Sequence, residues 1–404
     1  MKKSNHIKKV NNFLFLISLM AIYVFSNSIF ILLQTSSLRS GLVIGVAFFV
    51  FLMVITNRMG YLSIRSKYLY FTILVCSILL FQVLISIAAF GPEYYERSLF
   101  SIILLFLLLI TSAYFVNLTK DTDDFLFHKY ILITYNFMTL LGLVSIILQK
   151  MDLVGGKNML IFVEPSHYAL VYLPLVLYKV YTSNKKNKLF IILVTLLISL
   201  FVENLTLLAG TIIVFGISYW RYKFKFLFIV SIFTFIIVSF GFNELQYYWD
   251  RLNISMQSNN LSVLVWVSGW ERAYISFVDS YGVGLGFQRL GYVGELGTAL
   301  NRIYTILGGR YLNINDGASV APKFIAETGL LGVVSIIVYL KYLIKILKAF
   351  IKERIVDKKT VFFFSAYIMF SVQLFVRGVG YFSPASYLFL ASIYWIYKID
   401  LRKI

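Results

Sequence analysis

Tyr68-Leu-Tyr-Phe-Thr-Ile-Leu-Val-Cys-Ser-Ile-Leu-Leu-Phe-Gln-Val-Leu-Ile-Ser-Ile-Ala-Ala-Phe90 contains no charged residue, and its reading decides the fold class. A helix needs about 20 apolar residues to cross the ~30 Å of bilayer hydrocarbon, so this run predicts a membrane-spanning helix. Eleven further runs read the same way, at about 12–33, 40–56, 98–117, 130–149, 166–183, 189–202, 205–219, 226–242, 324–347, 360–376 and 383–397. The pair 189–202 and 205–219 is short, and only Glu203 and Asn204 divide it. With 60% hydrophobic residues, 14% charged and a mean hydropathy of +0.83, the chain is not an ordinary soluble domain. The expected fold is an all-α polytopic integral membrane protein. Nine spans fill 1–242 from a cytoplasmic amino terminus, 243–322 forms one large, partly helical extracytoplasmic loop, and three spans fill 323–404, ending in the cytoplasm.

The positive-inside rule supports this alternation. With the amino terminus inside, inner segments hold 26 of the 37 Lys and Arg, and 12 of the 18 acids fall outside. The net charge of +19 is spread over short loops beside apolar runs. That pattern points to anionic lipid headgroups and argues against a nucleic-acid partner. The first apolar run exceeds a signal-peptide core and lacks a small-x-small cleavage site, so it is expected to stay as a signal anchor. Cys76 is the single cysteine, which excludes an intrachain disulfide and argues against a thiol metal site.

The 80 residues from Asn243 to Pro322 hold five arginines (Arg251, Arg272, Arg289, Arg302, Arg310) and no lysine, in a chain with 24 Lys and 13 Arg. Inner segments carry 21 Lys and 5 Arg, outer segments 3 Lys and 8 Arg. Charge alone suffices inside; outside, the planar donor fork of arginine is selected, which suits phosphate and carboxylate oxygens. The alternative is that these arginines pair with the loop's own acids, Glu244, Asp250, Glu271, Asp279, Glu295 and Asp316.

Within the loop, the seven-residue apolar run Leu261–Val267 is too short to cross a bilayer and is expected to pack on the spans or lie at the interface. The stretch 269–278 reads as a helix with Trp270, Tyr274 and Phe277 on one face and Arg272 on another side, toward a polar cavity. That aromatic stripe reads as core packing or, in the minority reading, as a platform for sugar stacking, with Asn315 and Asp316 as further sugar contacts. Gly282-Val-Gly-Leu-Gly286 lacks the strand–turn–helix context of a phosphate loop; its glycines are expected to admit close backbone approach to another element or a headgroup. Glu327 lies about one turn inside the tenth run, where a carboxylate is costly unless partnered, so it is either functional or a packing group beside Gly329.

Phe162-Val-Glu-Pro-Ser-His167 places Glu164, Ser166 and His167 at the outer mouth of the sixth run. Either Ser166 caps the following helix or the helix starts earlier, with Pro165 in its first turn. Glu203, Asn204 and Arg377 fall at outer ends too. No His, Cys and carboxylate spacing suits a metal, and no nucleophile elbow stands out.

These residues resemble the bacterial O-antigen polymerases, the repeat-unit polymerases of the O-antigen polymerase and ligase superfamily. Phe162-Val-Glu-Pro-Ser166 is similar to the Phe-x-Glu-Pro-Ser signature. Gly269-Trp-Glu-Arg272 followed by Gly282-x-Gly-x-Gly286 resembles the Arg-containing helix and glycine turn. Phe324-Ile-Ala-Glu327-Thr-Gly-Leu-Leu-Gly332 resembles the Glu-x-Gly-x-x-Gly span entrance. The ligases place a histidine shortly before that entrance; here the chain reads Asn315-Asp-Gly-Ala-Ser319, which favours the polymerase and leaves the general base less defined.

The resemblance implies a multi-pass protein of the bacterial cytoplasmic membrane whose site faces the periplasm or exterior. It would transfer a growing glycan from undecaprenyl pyrophosphate to the next lipid-linked repeat unit, building O-antigen, capsule or exopolysaccharide. No metal or other cofactor is called for. Arg272 is the first choice to hold the pyrophosphate, with Arg289, Arg302, Arg310 and Arg377 behind it. Glu164 with His167 is the expected base pair, and Glu327 a further catalytic candidate. Lipid-linked substrate, membrane lipids and a chain-length regulator are the implied partners. A ligase, or a flippase or transporter for the same lipid-linked glycan, is the alternative.

Overall fold

The computed structural model describes residues 2–28, 39–58, 66–151, 159–220, 248, 250–251 and 254–399. Every extended element among them is helical; β pairing is limited to two isolated bridges. In chain order the helices are α1 (Lys2–Met20, continued by a π turn over Ala21–Phe25), α2 (Arg39–Arg58), α3 (Ser66–Phe90), α4 (Tyr95–Asp121), α5 (Asp124–Lys150), α6 (Pro165–Thr182) and α7 (Lys185–Phe201). They continue with α8 (Leu205–Tyr219), α9 (Leu261–Asp279), α10 (Thr298–Ile306), α11 (Val320–Thr328), α12 (Leu330–Ile351), α13 (Lys358–Phe375) and α14 (Pro384–Lys398). Five stretches, Lys9–Ser28, α3, α4, α5 and α12, are long and apolar enough to cross a membrane.

Nine of the twelve predicted runs each fall on one helix, and the run 12–33 is helical as far as Ser28; its residues 29–33 and the run 226–242 lie outside the described residues. The doubtful pair is real. Glu203, in left-handed conformation (φ 52°), ends α7, and the Asn204 side chain accepts from Leu207 N to start α8. One run, 324–347, is divided. Gly329 (φ 57°, ψ −128°) stands between α11 and α12 in a backbone region open essentially to glycine alone.

α6 and α13 form the centre. Both are buried on nearly every side and pack on one another, as helices without a polar face do. Tyrosine hydroxyls satisfy polar groups in this apolar interior: Tyr168 donates to Met138 O (2.9 Å), Tyr387 to Thr111 O (2.9 Å), and Tyr339 and Tyr367 each donate to the other's carbonyl (3.1 Å). α3 and α12 lie at the periphery and turn large apolar side chains outward, among them Phe81, Leu84, Val334 and Ile337. Apolar exposure on this scale suits a lipid solvent and not water.

The run 261–267 is the first half of α9, and its Trp266 packs on the end of α13. Leu264 and Val265 bury against Leu300, Ile303 and Ala318 in a small second core. The three loop glycines 282, 284 and 286 all have positive φ, and they lock onto the α11–α12 break. Leu285 N and Gly286 N donate to Ala326 O and Glu327 O, and Leu330 N donates to Gly282 O at 2.7 Å. Gln82 Nε2 reaches Val283 O (3.0 Å) and Glu327 O (2.8 Å) from within α3. Gln82 lies eight residues before the end of α3, so the glycine turn enters the bundle about 12 Å below that end. A Cβ on Gly329 would meet Gly282 O at 2.0 Å, a backbone atom with nowhere to go. Gly329→Ala is therefore expected to cost about 2–3 kcal/mol, read as a lowered unfolding midpoint in detergent.

Candidate functional site

Glu164 takes the extended conformation (φ −128°, ψ 146°) imposed on a residue before proline, and Pro165 occupies the first position of α6. The earlier helix start is thus the correct alternative. Ser166 does not cap; its Oγ donates to Glu164 Oε2 at 3.0 Å. Arg377, in the turn between α13 and α14, donates from Nη2 to the same oxygen at 3.2 Å, and His167 Nε2 stands 3.9 Å from it. Two further contacts fix the frame. Asn204 Nδ2 donates to Pro165 O (2.6 Å), and Trp266 Nε1 donates to Phe375 O (3.0 Å), tying α9 to the end of α13.

The Glu164 side chain is 45% exposed and that of Arg377 26%, so the pair opens to one side while His167 is nearly enclosed. Burial alone would raise the Glu164 carboxyl. The Arg377 charge, then His167 and the hydrogen bonds from Arg377 and Ser166, outweigh it and hold the group below the ordinary carboxylate range. Glu164 is an anion at neutral pH. His167 Nδ1 is buried without a hydrogen-bond partner. The arrangement offers an ionised carboxylate, an imidazole and a partly exposed guanidinium: groups to take up a proton and to contact an anion.

The other arginines have different work. Arg272 was expected to face a polar cavity. It is instead fully buried and donates from Nη1 to Ile314 O at 2.7 Å. Burial pulls its guanidinium down to about 10, opposed by Glu327, and it stays charged at neutral pH. Arg289, also fully buried, donates to Ser86 Oγ (3.0 Å) and Gly91 O (2.7 Å) and pins the loop to the end of α3. Arg302 donates to Gln257 O (2.7 Å) and Asn259 Oδ1 (3.0 Å) at the edge of a cavity of about 500 Å³ that Met256, Thr298, Thr305 and Ile306 also line. Arg310 is exposed. Carbonyl clamping, rather than pairing with loop acids, occupies Arg272, Arg289 and Arg302. A loop with little regular structure leaves carbonyls without helix partners, and a guanidinium carries five donors to meet them.

Glu327 sits in the last turn of α11, before the break at Gly329, and it is fully buried. Its carboxylate accepts from Tyr381 Oη (2.8 Å) and Leu290 N (3.3 Å) and stands 3.8 Å from Lys323 Nζ. Burial and Glu327 together push the Tyr381 phenol well up, so it remains a donor. Trp270 packs tilted against Trp266, whereas Tyr274 is 72% exposed. Asn315 Nδ2 donates to Tyr292 Oη (3.1 Å), and Asp316 is exposed. Lys323, Tyr381 and Gln82 drew no notice in the sequence. Their only signal is that each is a polar residue inside or beside an apolar run.

Fold and site define a class: an all-helical protein with apolar helices of membrane-crossing length and a polar, ionised cluster at one end of its central helices. Comparison with protein-family models, with curated proteins and with solved structures finds no match.

Proposed function

We propose that this protein polymerises lipid-pyrophosphate-linked oligosaccharide repeat units into a surface polysaccharide at the outer face of a bacterial cytoplasmic membrane. The observation that carries the reading is the half-open Glu164–Arg377–His167 cluster, gathered from two distant segments at the end of the bundle's most buried helices. In the reaction the bond from the anomeric carbon to the pyrophosphate oxygen breaks, and the leaving group keeps its electron pair. An acceptor hydroxyl bonds to the anomeric carbon from the opposite face, inverting it, and its proton passes to the Glu164–His167 pair. Arg377, with donors beyond the one spent on Glu164, contacts the developing pyrophosphate charge. It displaces Arg272 as first choice, because Arg272 is committed to Ile314. The glycan chain length and a chain-length regulator as partner belong to the same proposal.

The test is reconstitution of the purified protein in liposomes with lipid-linked repeat units. Lengthened lipid-linked glycan is the expected product; translocation without lengthening would replace the polymerase with a flippase. Arg377→Gln removes the charge that holds Glu164 down and leaves burial, which acts upward. The acidic limb of the pH–rate profile is therefore expected to move to higher pH, and an unmoved limb would detach Glu164 from the titration.

A further inference from the structure

Helix α9 ends in a Schellman turn with an unusual residue at its key position. Tyr281 N donates to Val278 O (3.0 Å) and Gly282 N to Phe277 O (2.8 Å), the paired bonds of that motif. The left-handed position is normally glycine, because a Cβ there is costly. Here it is Tyr281, at φ 49°, and the residue is 97% exposed. A bulky aromatic held in strained backbone, with its ring touching almost nothing, has no account in the protein's own packing. Val278 and Tyr274, on the same face of α9, are exposed as well.

Contacts fix where this end lies. Arg272 donates to Ile314 O, and Lys323 of α11 holds the same turn through Asn315 O at 2.6 Å. At the tip, Leu330 N donates to Gly282 O at 2.7 Å. Leu330 is exposed and opens the outward apolar face of α12 that continues through Val334 and Ile337. Tyr281 thus adjoins a surface already turned to lipid. Tyr94 and Tyr95, exposed just past the end of α3, put two more tyrosines at this rim, as at the aromatic belts of membrane proteins.

The level of Tyr281 follows from α3. Its 25 residues make roughly 37 Å of helix against ~30 Å of hydrocarbon. With all the excess placed at the Phe90 end, Gln82 still lies about 5 Å within the hydrocarbon. Its side chain tilts toward the helix amino terminus, hence deeper, and donates to Val283 O at 3.0 Å. Tyr281 is two residues from Val283, a reach of at most about 7 Å. It therefore stands no higher than the headgroup layer.

We propose that the carboxyl-terminal end of α9 is an interfacial anchor. Tyr281 sits at the headgroup–acyl boundary of the leaflet at the Phe90 end of α3, its ring against lipid chains and its hydroxyl among headgroups. Part of the 243–322 loop is thereby seated in membrane. From Ala273 to Phe287 the only charged residue is Asp279, so the contact is with the boundary itself and not with anionic headgroups.

Cys76 is the only cysteine, so a Cys76→Ser chain can carry one nitroxide at a time, at Tyr281→Cys, at lipid-facing Phe81→Cys or at Asn301→Cys, exposed on α10. Collision rates with oxygen and with a water-soluble nickel chelate are read in the full-length protein in zwitterionic nanodiscs. The oxygen-to-nickel ratio at 281 is expected to exceed that at 301 about fivefold and to approach that at 81. A ratio equal to that at 301 would place the tip in water and overturn the anchor. Anionic lipid is expected to leave the ratio unchanged; a clear rise would overturn the apolar contact in favour of headgroup charge.

A second measurement keeps the native tyrosine. A diazirine-bearing phospholipid is expected to label the peptide that holds residues 274–281. Tyr281→Gly suits the backbone and so folds, and it is expected to lower that labelling about threefold. An unlabelled wild-type peptide, or equal labelling of the two chains, counts against Tyr281 as the anchor. Neither readout involves turnover, so both are independent of the polymerase reading.

Discussion

Glu164→Gln is expected to lower polymer formation by on the order of 10²- to 10⁴-fold, leaving single-repeat lipid-linked product to accumulate. The substitution keeps size and hydrogen-bonding shape but removes the charge that meets Arg377, Ser166 and His167 around one oxygen. Glu164 is nearly half exposed, so the variant should fold and insert normally, and the loss should appear in turnover and not in yield. Lipid-linked product separated on gels reads the outcome directly. A wild-type ladder from Glu164→Gln would remove this carboxylate from the chemistry. Ser166→Ala, which takes away one neutral hydrogen bond, should cost far less.

The second large effect is on stability. Glu327→Gln leaves Arg272 and Lys323 buried without their carboxylate, and breaking a buried ion pair from one side typically costs about 3–5 kcal/mol. Loss of monodisperse protein after detergent extraction, or a large fall in the unfolding midpoint, is the expected result. Adding Lys323→Met to Glu327→Gln removes one stranded cation and should recover part of the loss. A Glu327→Gln protein as stable as wild type would mean that the backbone carbonyls of Ile314 and Asn315 are sufficient partners by themselves.

Both effects depend on contacts that the sequence hints at unevenly. The Glu164 motif was legible because a carboxylate, a hydroxyl and an imidazole within four residues precede a long apolar run. Its partner Arg377 was visible only as one more charge at the end of an apolar run, 213 residues away. Arg272 shows the opposite. Its helix was legible and its side correctly separated from the aromatic face, yet what that side meets was not. Periodicity tells which residues share a face and is silent on whether that face meets solvent, a ligand or a carbonyl. The division of the run 324–347 was hidden for a similar reason. Apolarity continues through Gly329, and only its contact with Gly282 shows that the backbone must turn there.

The sequence by itself determined that the chain is helical and built for lipid, and where most of its helices begin and end. Those properties follow from local quantities, the length of apolar runs and the punctuation between them. It also determined that the long loop prefers arginine to lysine. Tertiary structure alone decided what that preference serves in the residues described: Arg272, Arg289 and Arg302 bind carbonyls that no regular element satisfies. It likewise decided that Glu164 meets Arg377, and that Glu327 belongs to a buried network and not to the open cluster. A side chain's partner is set by packing between segments far apart in the chain, and no local pattern encodes it.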